Sequence, residues 1–225
     1  MLLLCLDSSA VASAALVTGG GEVLGSFASP DTRSHAEVLA PAVRDLLAGA
    51  GLDGAAVDAV LVGTGPGPFT GLRAGIATAR ALAFAWDVPL HGLMSLEAVA
   101  QDAAAAARDA GHDEFLVLTD ARRKEVYWAR FVLGADGPRP AGGPGVAAAE
   151  DLPGLPAYGR GAGLYAERLA RVVPGFAEAQ PTASSLGLAA VRRAARGEAL
   201  DPDTTPLYLR ESDAKVPGPR KRAGA

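Results

Sequence analysis

The first stretch of this sequence that could do chemistry is a glycine- and proline-rich turn, Gly65-Pro66-Gly67-Pro68-Phe69-Thr70. It follows a short apolar run at 57–62, typical of a buried strand, and precedes a segment to about residue 86 with apolar residues at helical spacing. A strand, a tight turn and a helix N-terminus can together present backbone N–H groups to an anion. Phosphate is therefore the first ligand to consider. A rigid turn that only directs the following helix is an equally open interpretation.

Neither of the two common phosphate loops fits this turn. The P-loop ends in Gly-Lys-Ser/Thr, but Pro68-Phe69-Thr70 stands there and no lysine occurs before Lys124. The dinucleotide-binding loop needs a glycine at position 68, where proline also removes a backbone donor. If the turn binds phosphate, it does so in another way.

A second group that could meet phosphate is Asp7-Ser8-Ser9, which follows the apolar run at 2–6. In sugar-kinase and actin-like folds, an aspartate that ends the first strand, with hydroxyls in the next turn, meets nucleotide phosphate and its metal. The same triplet is also an ordinary Asx or Ser turn. The candidate set for a vestigial nucleotide or phosphate site is Asp7, Ser8, Ser9, Gly65, Gly67 and Thr70.

Two helices must position these residues. One is predicted at 70–86 with Thr70 as its N-cap, and the other at about 34–48 with Ser34 as its cap, Glu37 completing a capping box and Pro41 inside. Small residues line one face of the 70–86 helix, although an interior glycine costs about 1 kcal/mol relative to alanine. Close approach of another backbone, from this fold or from a partner chain, would compensate for that cost.

The order of predicted elements indicates two lobes. Strand, hairpin and strand open the chain, and the pattern restarts near residue 110 with a strand that ends at Asp120, much as the first ends at Asp7. We therefore predict duplication of one unit, with lobes at 1–109 and 110–213 and a disordered basic tail at 214–225. Further helices are predicted from Ser95 to about 108, from 164 to 172, and from a Ser184 cap to Gly197, while 206–210 docks onto the body.

Composition excludes several classes of protein. The chain has 225 residues and 49% hydrophobic residues, but no apolar run approaches the roughly 18 residues of a membrane helix. A formal charge of −4 argues against an autonomous nucleic-acid binder. The one cysteine, Cys5, lies in a predicted buried strand and is consistent with a reducing cytoplasm. His35 has leucine at the i+4 position where a helical metal pair needs a second histidine.

Taken together, the motifs resemble the bacterial TsaB (YeaZ) family over nearly the whole chain. The residues that carry the resemblance are Leu6-Asp7-Ser8-Ser9, Ser34-His35-Ala36-Glu37 with Leu39 and Pro41, Gly65 to Gly75, Asp120-Ala121-Arg122 with Glu125 to Ala129, and Pro206-Leu207-Tyr208-Leu209-Arg210. The glycine-rich segment Gly65 to Gly75 is the most specific of these.

The resemblance implies an α/β, actin-like (ASKHA, ribonuclease-H-like) fold with a degenerate second lobe. It also implies a non-catalytic subunit of the cytoplasmic complex that makes threonylcarbamoyladenosine in tRNA. A TsaD-like transferase would be the partner and supply the metal, a TsaE-like ATPase would be recruited, ATP would be used by other members, and tRNA would be reached indirectly. No catalytic residue, metal ligand, cofactor or membrane contact is expected for this chain, and a homodimer is the alternative when it is alone.

Family members pair through the two helices at about 34–48 and 70–86. The interface residues expected from this are Ser34, His35, Leu39, Val43, Gly71, Leu72, Gly75, Ile76, Ala79 and Ala83. Two other functions stay open at this point. One is an ATP-dependent phosphotransferase of the same fold, with Asp7 organising metal and phosphate. The other, a metal-dependent glycopeptidase, has neither a histidine pair nor a Ser-His-Asp set to support it.

Overall fold

The computed structural model describes residues 1–30 and 35–210, with only the backbone at residues 35 and 36. The strands are β1 Leu2–Asp7, β2 Ser13–Thr18, β3 Val23–Ala28, β4 Ala59–Gly63, β5 Leu90–Leu93, β6 Glu114–Asp120, β7 Glu125–Gly134, β8 Gly137–Pro140, β9 Gly145–Ala148 and β10 Ala157–Tyr158. The helices are α1 His35–Gly49, α2 Phe69–Trp86, α3 Leu96–Asp109, α4 Arg160–Leu164 and α5 Ala183–Ala195.

The strands form two sheets of related topology. The first has the order β3-β2-β1-β4-β5, antiparallel from β3 to β1 and parallel from β1 to β5. The second has the order β8-β7-β6-β10, again antiparallel across the first three strands and parallel at the last, while β9 also pairs with β7. The predicted duplication is therefore visible in strand order and direction, and the two-lobed α/β fold is confirmed.

Side-chain alternation on β1 assigns the helices to opposite faces of the first sheet. Leu2, Leu4 and Leu6 pack in the cluster that includes α1 and α2, whereas Leu3 and Cys5 pack with α5. Helix α3 packs on the second sheet against Phe115 and Phe131 and also contacts α5. Cys5 is fully buried, as predicted, and burial raises the pKa of its thiol far above the ordinary value.

Three details of the predicted helices are wrong. Helix α2 begins at Phe69 with Pro68 as the N-cap residue, so Thr70 lies inside the first turn. The helix expected at 164–172 is absent, because α4 ends at Leu164 and only a 3₁₀ turn, Ala166–Arg168, follows. Helix α5 is capped by Thr182, whose hydroxyl oxygen accepts a 3.2 Å hydrogen bond from the Ser185 N–H, and not by Ser184.

The segment after the second lobe returns to the first. Helix α5 covers the face of the first sheet that carries Leu3 and Cys5. Gly92 of β5 donates a 2.8 Å hydrogen bond to the carbonyl of Asp201. The lobe boundary at 109/110 stays a prediction, and the tail at 214–225 lies outside the described residues. None of the described helices has the length and apolar character needed to span a membrane.

Candidate functional site

Asp7, the last residue of β1, is fully buried at the turn into β2. Its Oδ1 accepts hydrogen bonds from the Ser9 backbone N–H at 2.8 Å and from the Ser9 hydroxyl at 2.7 Å. Its Oδ2 accepts a 2.6 Å bond from the Ser95 hydroxyl. A buried carboxylate is tolerated when donors surround it. Both oxygens of Asp7 are thus already engaged in holding the turn.

The glycines of the first lobe make room for this turn. A Cβ at Gly63 would overlap the Asp7 carboxylate, and one at Gly67 would lie 2.8 Å from the Ser9 Cα. A Cβ at Gly75 would overlap the Ser8 hydroxyl. The close approach that compensates for glycine in α2 therefore comes from within this fold.

Five of the six candidate phosphate residues lie together in the structure, and the sixth, Thr70, faces solvent. The five are Asp7, Ser8, Ser9, Gly65 and Gly67. Ser8 donates a 2.8 Å bond to the carbonyl of Gly71, which ties the Asp7-Ser8-Ser9 turn to α2 beside Gly65 and Gly67. Thr70 is exposed in the first turn of α2.

Sequence reasoning missed Ser95, which connects two of the predicted groups. We expected it only as a helix cap; it stands at the N-cap position of α3 but makes no side-chain capping bond. Instead its hydroxyl donates to Asp7 and accepts a 3.0 Å bond from the Gly65 N–H. Separations of 88 and 30 residues leave no local signal for these contacts.

The turn after Asp120 occupies the matching position in the second lobe and is open. The Asp120 carboxylate accepts a 2.8 Å bond from the Arg122 N–H and lies 3.3 Å from the Arg122 guanidinium. Burial, followed by the Asp120 charge, raises the pKa of Tyr165. Arg122, Arg123 and Lys124 all have left-handed backbone, with φ of 64°, 54° and 65°.

A cleft of about 320 Å³ lies between the two turns. Its lining residues are Ser9, Ala10, Pro68, Thr119, Asp120, Arg122, Arg160 and Gln180. Thr119 is 8% exposed, and its hydroxyl has no hydrogen-bond partner among the described residues. The guanidinium groups of Arg122, which is paired with Asp120, and of Arg160 make the cleft suitable for a polar, anionic group.

The residues predicted as a partner interface are, where described, core residues of this chain. Ser34 and the side chain of His35 lie outside the described residues. The other eight are buried: Leu39, Val43, Gly71, Leu72, Gly75, Ile76, Ala79 and Ala83. Their helical spacing identifies the face that packs against the core of this chain. A face buried in the core and a face that docks a partner have the same helical period, so the spacing alone does not distinguish them. Burial within the isolated chain does not test the predicted interface, which stays a prediction.

The outer surface of the same helices carries an exposed aromatic residue. Phe84 of α2 is 90% exposed, whereas most large apolar side chains of globular proteins are covered. A groove of about 350 Å³ separates α1 from α2, lined by Ala40, Val43, Arg44, Leu47, Ala48, Leu52, Asp53, Gly54, Leu82 and Trp86. We call the outward-facing residues of α1 and α2, which include this groove and, on the other side of α2, Phe84, the α1–α2 surface.

The predicted docking of 206–210 onto the body is confirmed. Leu207 donates a 2.8 Å backbone bond to Thr64. Tyr208 stacks on Phe69 with ring centroids 4.4 Å apart, and its hydroxyl accepts a 2.8 Å bond from Arg73 Nε. Arg210 forms an ion pair with Glu125 of the second lobe. The segment therefore contacts the end of β4 and α2 in the first lobe and β7 in the second.

Comparison with known proteins shows which of them are similar to this chain. The family model described as TsaD, tRNA N6-adenosine threonylcarbamoyltransferase, matches residues 22–216. The solved structure of YeaZ from Pseudomonas aeruginosa is 35% identical, with a TM-score of 0.77, and the match covers 92% of this chain and 99% of that one. This chain belongs to the TsaB (YeaZ) family.

Other relatives agree with this membership. A protein of Mycobacterium tuberculosis, described as uncharacterised, is 44% identical over 86% of this chain and 83% of its own length. The Escherichia coli relative, named tRNA threonylcarbamoyladenosine biosynthesis protein TsaB, is 34% identical over 58% of this chain and 55% of its own length. Another P. aeruginosa structure, described as similar to the peptidase YeaZ, has a TM-score of 0.78 at 35% identity and spans 93% of this chain and 99% of that one.

Proposed function

We propose that this chain is a non-catalytic scaffold subunit in the biosynthesis of threonylcarbamoyladenosine in tRNA. In this role it works in the cytoplasm, pairs with a TsaD-like transferase and recruits a TsaE-like ATPase. The names of the relatives support the tRNA-modification process. Pairing, recruitment and the absence of catalysis are our inferences.

The observation that carries the non-catalytic role is the state of Asp7. A phosphotransferase of this fold needs that carboxylate to organise metal and phosphate. Here its oxygens accept three hydrogen bonds, from the Ser9 N–H and from the Ser9 and Ser95 hydroxyls. A metal would have to displace these donors inside a fully buried turn, so the phosphotransferase alternative is disfavoured.

The α1–α2 surface is the proposed docking site for the transferase. Phe84 is exposed on the outer face of α2, and a mainly apolar groove runs between α1 and α2. Aromatic side chains and apolar grooves are features on which protein interfaces are commonly centred. In this proposal the interface residues expected from the sequence have a supporting role, because they pack in the core and hold α1 and α2 together. When the chain is alone, the same surface offers a site for a second copy.

The cleft between the turns of Asp7 and Asp120 supports a secondary proposal, a vestigial nucleotide site. The guanidinium groups of Arg122 and Arg160 would hold an anionic group, with no catalysis on it. Titration with a non-hydrolysable ATP analogue tests this. Binding that disappears in Arg122→Gln with Arg160→Gln supports the site, and unchanged binding rejects it.

The scaffold role is tested by reconstitution. Transferase, ATPase and the enzyme that makes threonylcarbamoyl-adenylate are mixed with tRNA, with and without this chain, and modified nucleoside is quantified. Modification that depends on this chain supports the proposal. If modification is equal in both mixtures, the scaffold role is wrong. ATP hydrolysis by the isolated chain, lost in Asp7→Asn, would support the phosphotransferase instead.

A further inference from the structure

A concave surface lined by arginines lies where α3, the β7–β8 turn and the end of α5 meet. It encloses about 550 Å³ and is lined by Arg108, Ala135, Asp136, Arg139, Arg192, Ala195 and Arg196. We call Arg108, Arg139, Arg192 and Arg196 the arginine cluster. In a chain with a formal charge of −4, four guanidinium groups around one depression form a local reversal of charge.

Two members of the arginine cluster are anchored by one carboxylate. Arg196 donates to both oxygens of Glu198, at 2.7 Å from Nε and 2.9 Å from Nη2. Arg139 Nε lies 3.4 Å from the same carboxylate. These contacts orient the two side chains and occupy Glu198 completely.

The other two members keep their charge without a carboxylate partner. Within residues 1–30 and 35–210, the Arg108 guanidinium donates only to the backbone carbonyls of Gly134 and Ala135, at 3.1 and 3.4 Å. The Arg192 guanidinium packs against Gly137 and makes neither a hydrogen bond nor an ion pair with any of these residues. Guanidinium groups of this kind can bind the paired oxygens of a phosphate.

The acidic residue beneath the cluster does not neutralise it. Glu97 is 8% exposed, and its oxygens accept bonds of 3.0 and 3.1 Å from Arg193, which is not a member of the cluster. Burial raises the pKa of Glu97 to about 7, against the opposing effect of Arg193 and then Arg196. Two other carboxylates face the cluster: Asp136 lines the depression and lies 4.0 Å from Arg139, and Glu198 pairs with Arg139 and Arg196. Four guanidinium groups against these two carboxylates leave the depression positively charged.

A simpler explanation covers only part of the arrangement. Cations in the last turn of a helix are stabilised by the helix dipole, which accounts for Arg108 on α3 and for Arg192 on α5. It does not account for Arg139, which comes from β8, about 50 residues earlier in the chain. Convergence of separate elements on one depression favours a ligand.

The arginine cluster and the α1–α2 surface are on opposite sides of the first sheet. Helix α5 packs with Leu3 and Cys5, whereas α1 and α2 pack in the cluster of Leu4 and Leu6. A partner on the α1–α2 surface would therefore leave the arginine cluster open.

We propose that the arginine cluster binds the phosphate backbone of RNA, with direct contacts from Arg108 and Arg192. This inference rests on the proposed function, which makes tRNA the RNA at hand. It changes the expectation that this acidic chain reaches tRNA only indirectly. Binding depends on a local patch and not on net charge, so it is salt-dependent and indifferent to base sequence.

The test compares two double variants of equal charge. Arg108→Gln with Arg192→Gln removes the proposed contacts without leaving a paired carboxylate behind. Arg130→Gln with Arg168→Gln is the control, since these arginines only form ion pairs of 3.7 and 3.4 Å with Glu114 and Glu150. Binding of an unmodified tRNA transcript is measured by fluorescence anisotropy at several salt concentrations, for the full chain alone and with the transferase.

We expect the cluster variant to bind tRNA about 10-fold more weakly, with the slope of log affinity against log salt reduced by about 1 to 2. The control should match the wild type. Equal tRNA binding by both variants, or no tRNA binding by the wild-type chain in either setting, overturns the proposal. The proposal is also overturned if the cluster variant binds tRNA normally and has lost only the binding of inorganic phosphate, or only the binding of polyglutamate, which serves as a probe for acidic proteins. Anisotropy reads RNA contact directly, so failure here is distinguishable from failure of the reconstitution.

Discussion

The two lobes use the same turn differently. In the first lobe, the Asp7 carboxylate is fully buried and Gly63 at the end of β4 lies directly against it. In the second lobe, the matching strand β10 is followed by Gly159, which lies against the Leu118 carbonyl and leaves Asp120 at the cleft with a 22% exposed side chain. The first turn has become part of the core, while the second stays accessible.

This difference shows that a shared topology does not preserve a shared role. Strand order and an aspartate at the strand end are retained in both lobes, but donors to the first aspartate come from Ser9 and Ser95. The carboxylate of the second aspartate interacts with Arg122, two residues away, and with Tyr165. A site that could bind a ligand must retain accessible polar groups, and the second turn is the better candidate.

Gly63→Ala should have the largest effect on the first turn. The new Cβ would overlap the buried Asp7 carboxylate, and we expect the free energy of unfolding to fall by about 3 kcal/mol. Urea denaturation measures the loss. Gly49→Ala at the end of α1 is the control, because nothing lies within 4 Å of its Cβ position. Equal stability of both variants would show that the first turn is not tightly packed.

Asp7→Ala and Asp120→Ala test the comparison directly. Removal of Asp7 leaves buried donors of Ser9 and Ser95 without an acceptor, so we expect a loss of about 2 to 3 kcal/mol. Removal of Asp120 breaks its hydrogen bond and ion pair with the exposed Arg122 and its contact with Tyr165, and should cost about 1 kcal/mol. The two midpoints of urea denaturation, at unchanged m-value, give the difference. Similar losses would remove the distinction between a core turn and an open one.

Lys124→Gly should have the smallest effect and the opposite sign. Lys124 has a φ of 65°, a conformation that glycine adopts without strain, although glycine also gains entropy in the unfolded chain. We expect a gain of about 0.5 kcal/mol in the free energy of unfolding. Thermal denaturation of Lys124→Gly and of Lys124→Ala, which keeps the strain, makes the comparison. A gain in the alanine variant, or a loss in the glycine variant, would contradict a strained second turn.

The sequence predicted local structure well and long-range contacts poorly. Apolar runs and turn residues identified the strands of the first lobe and the repeated aspartates, because those signals lie within a few residues. The small-residue face of α2 was recognised, but its neighbour is the Ser8-Ser9 turn, more than 60 residues away. Helical spacing reports that a face is covered and does not say by what. For this reason the helical spacing predicts as interface residues some that the structure buries within the chain, such as Ile76.

Other features had no sequence signal that could have found them. The arginine cluster is assembled from residues 108, 139, 192 and 196, which are separated by up to 88 positions. The exposure of Phe84 depends on how α1 and α2 pack, which the helical pattern does not determine. The sequence around Ser95 predicts an ordinary helix cap and gives no sign of its hydrogen bonds with Asp7 and Gly65.

The central claim is that the α1–α2 surface binds the transferase, and its most direct test is the affinity of Phe84→Asp for that partner. Isothermal titration calorimetry with the TsaD-like transferase compares the wild type, Phe84→Asp, and Leu164→Asp as a control on the second lobe, where Leu164 is 50% exposed. The account predicts that Phe84→Asp binds at least about 30-fold more weakly while the control is unchanged. Equal affinities of all three proteins, each shown to be folded by circular dichroism, would contradict it.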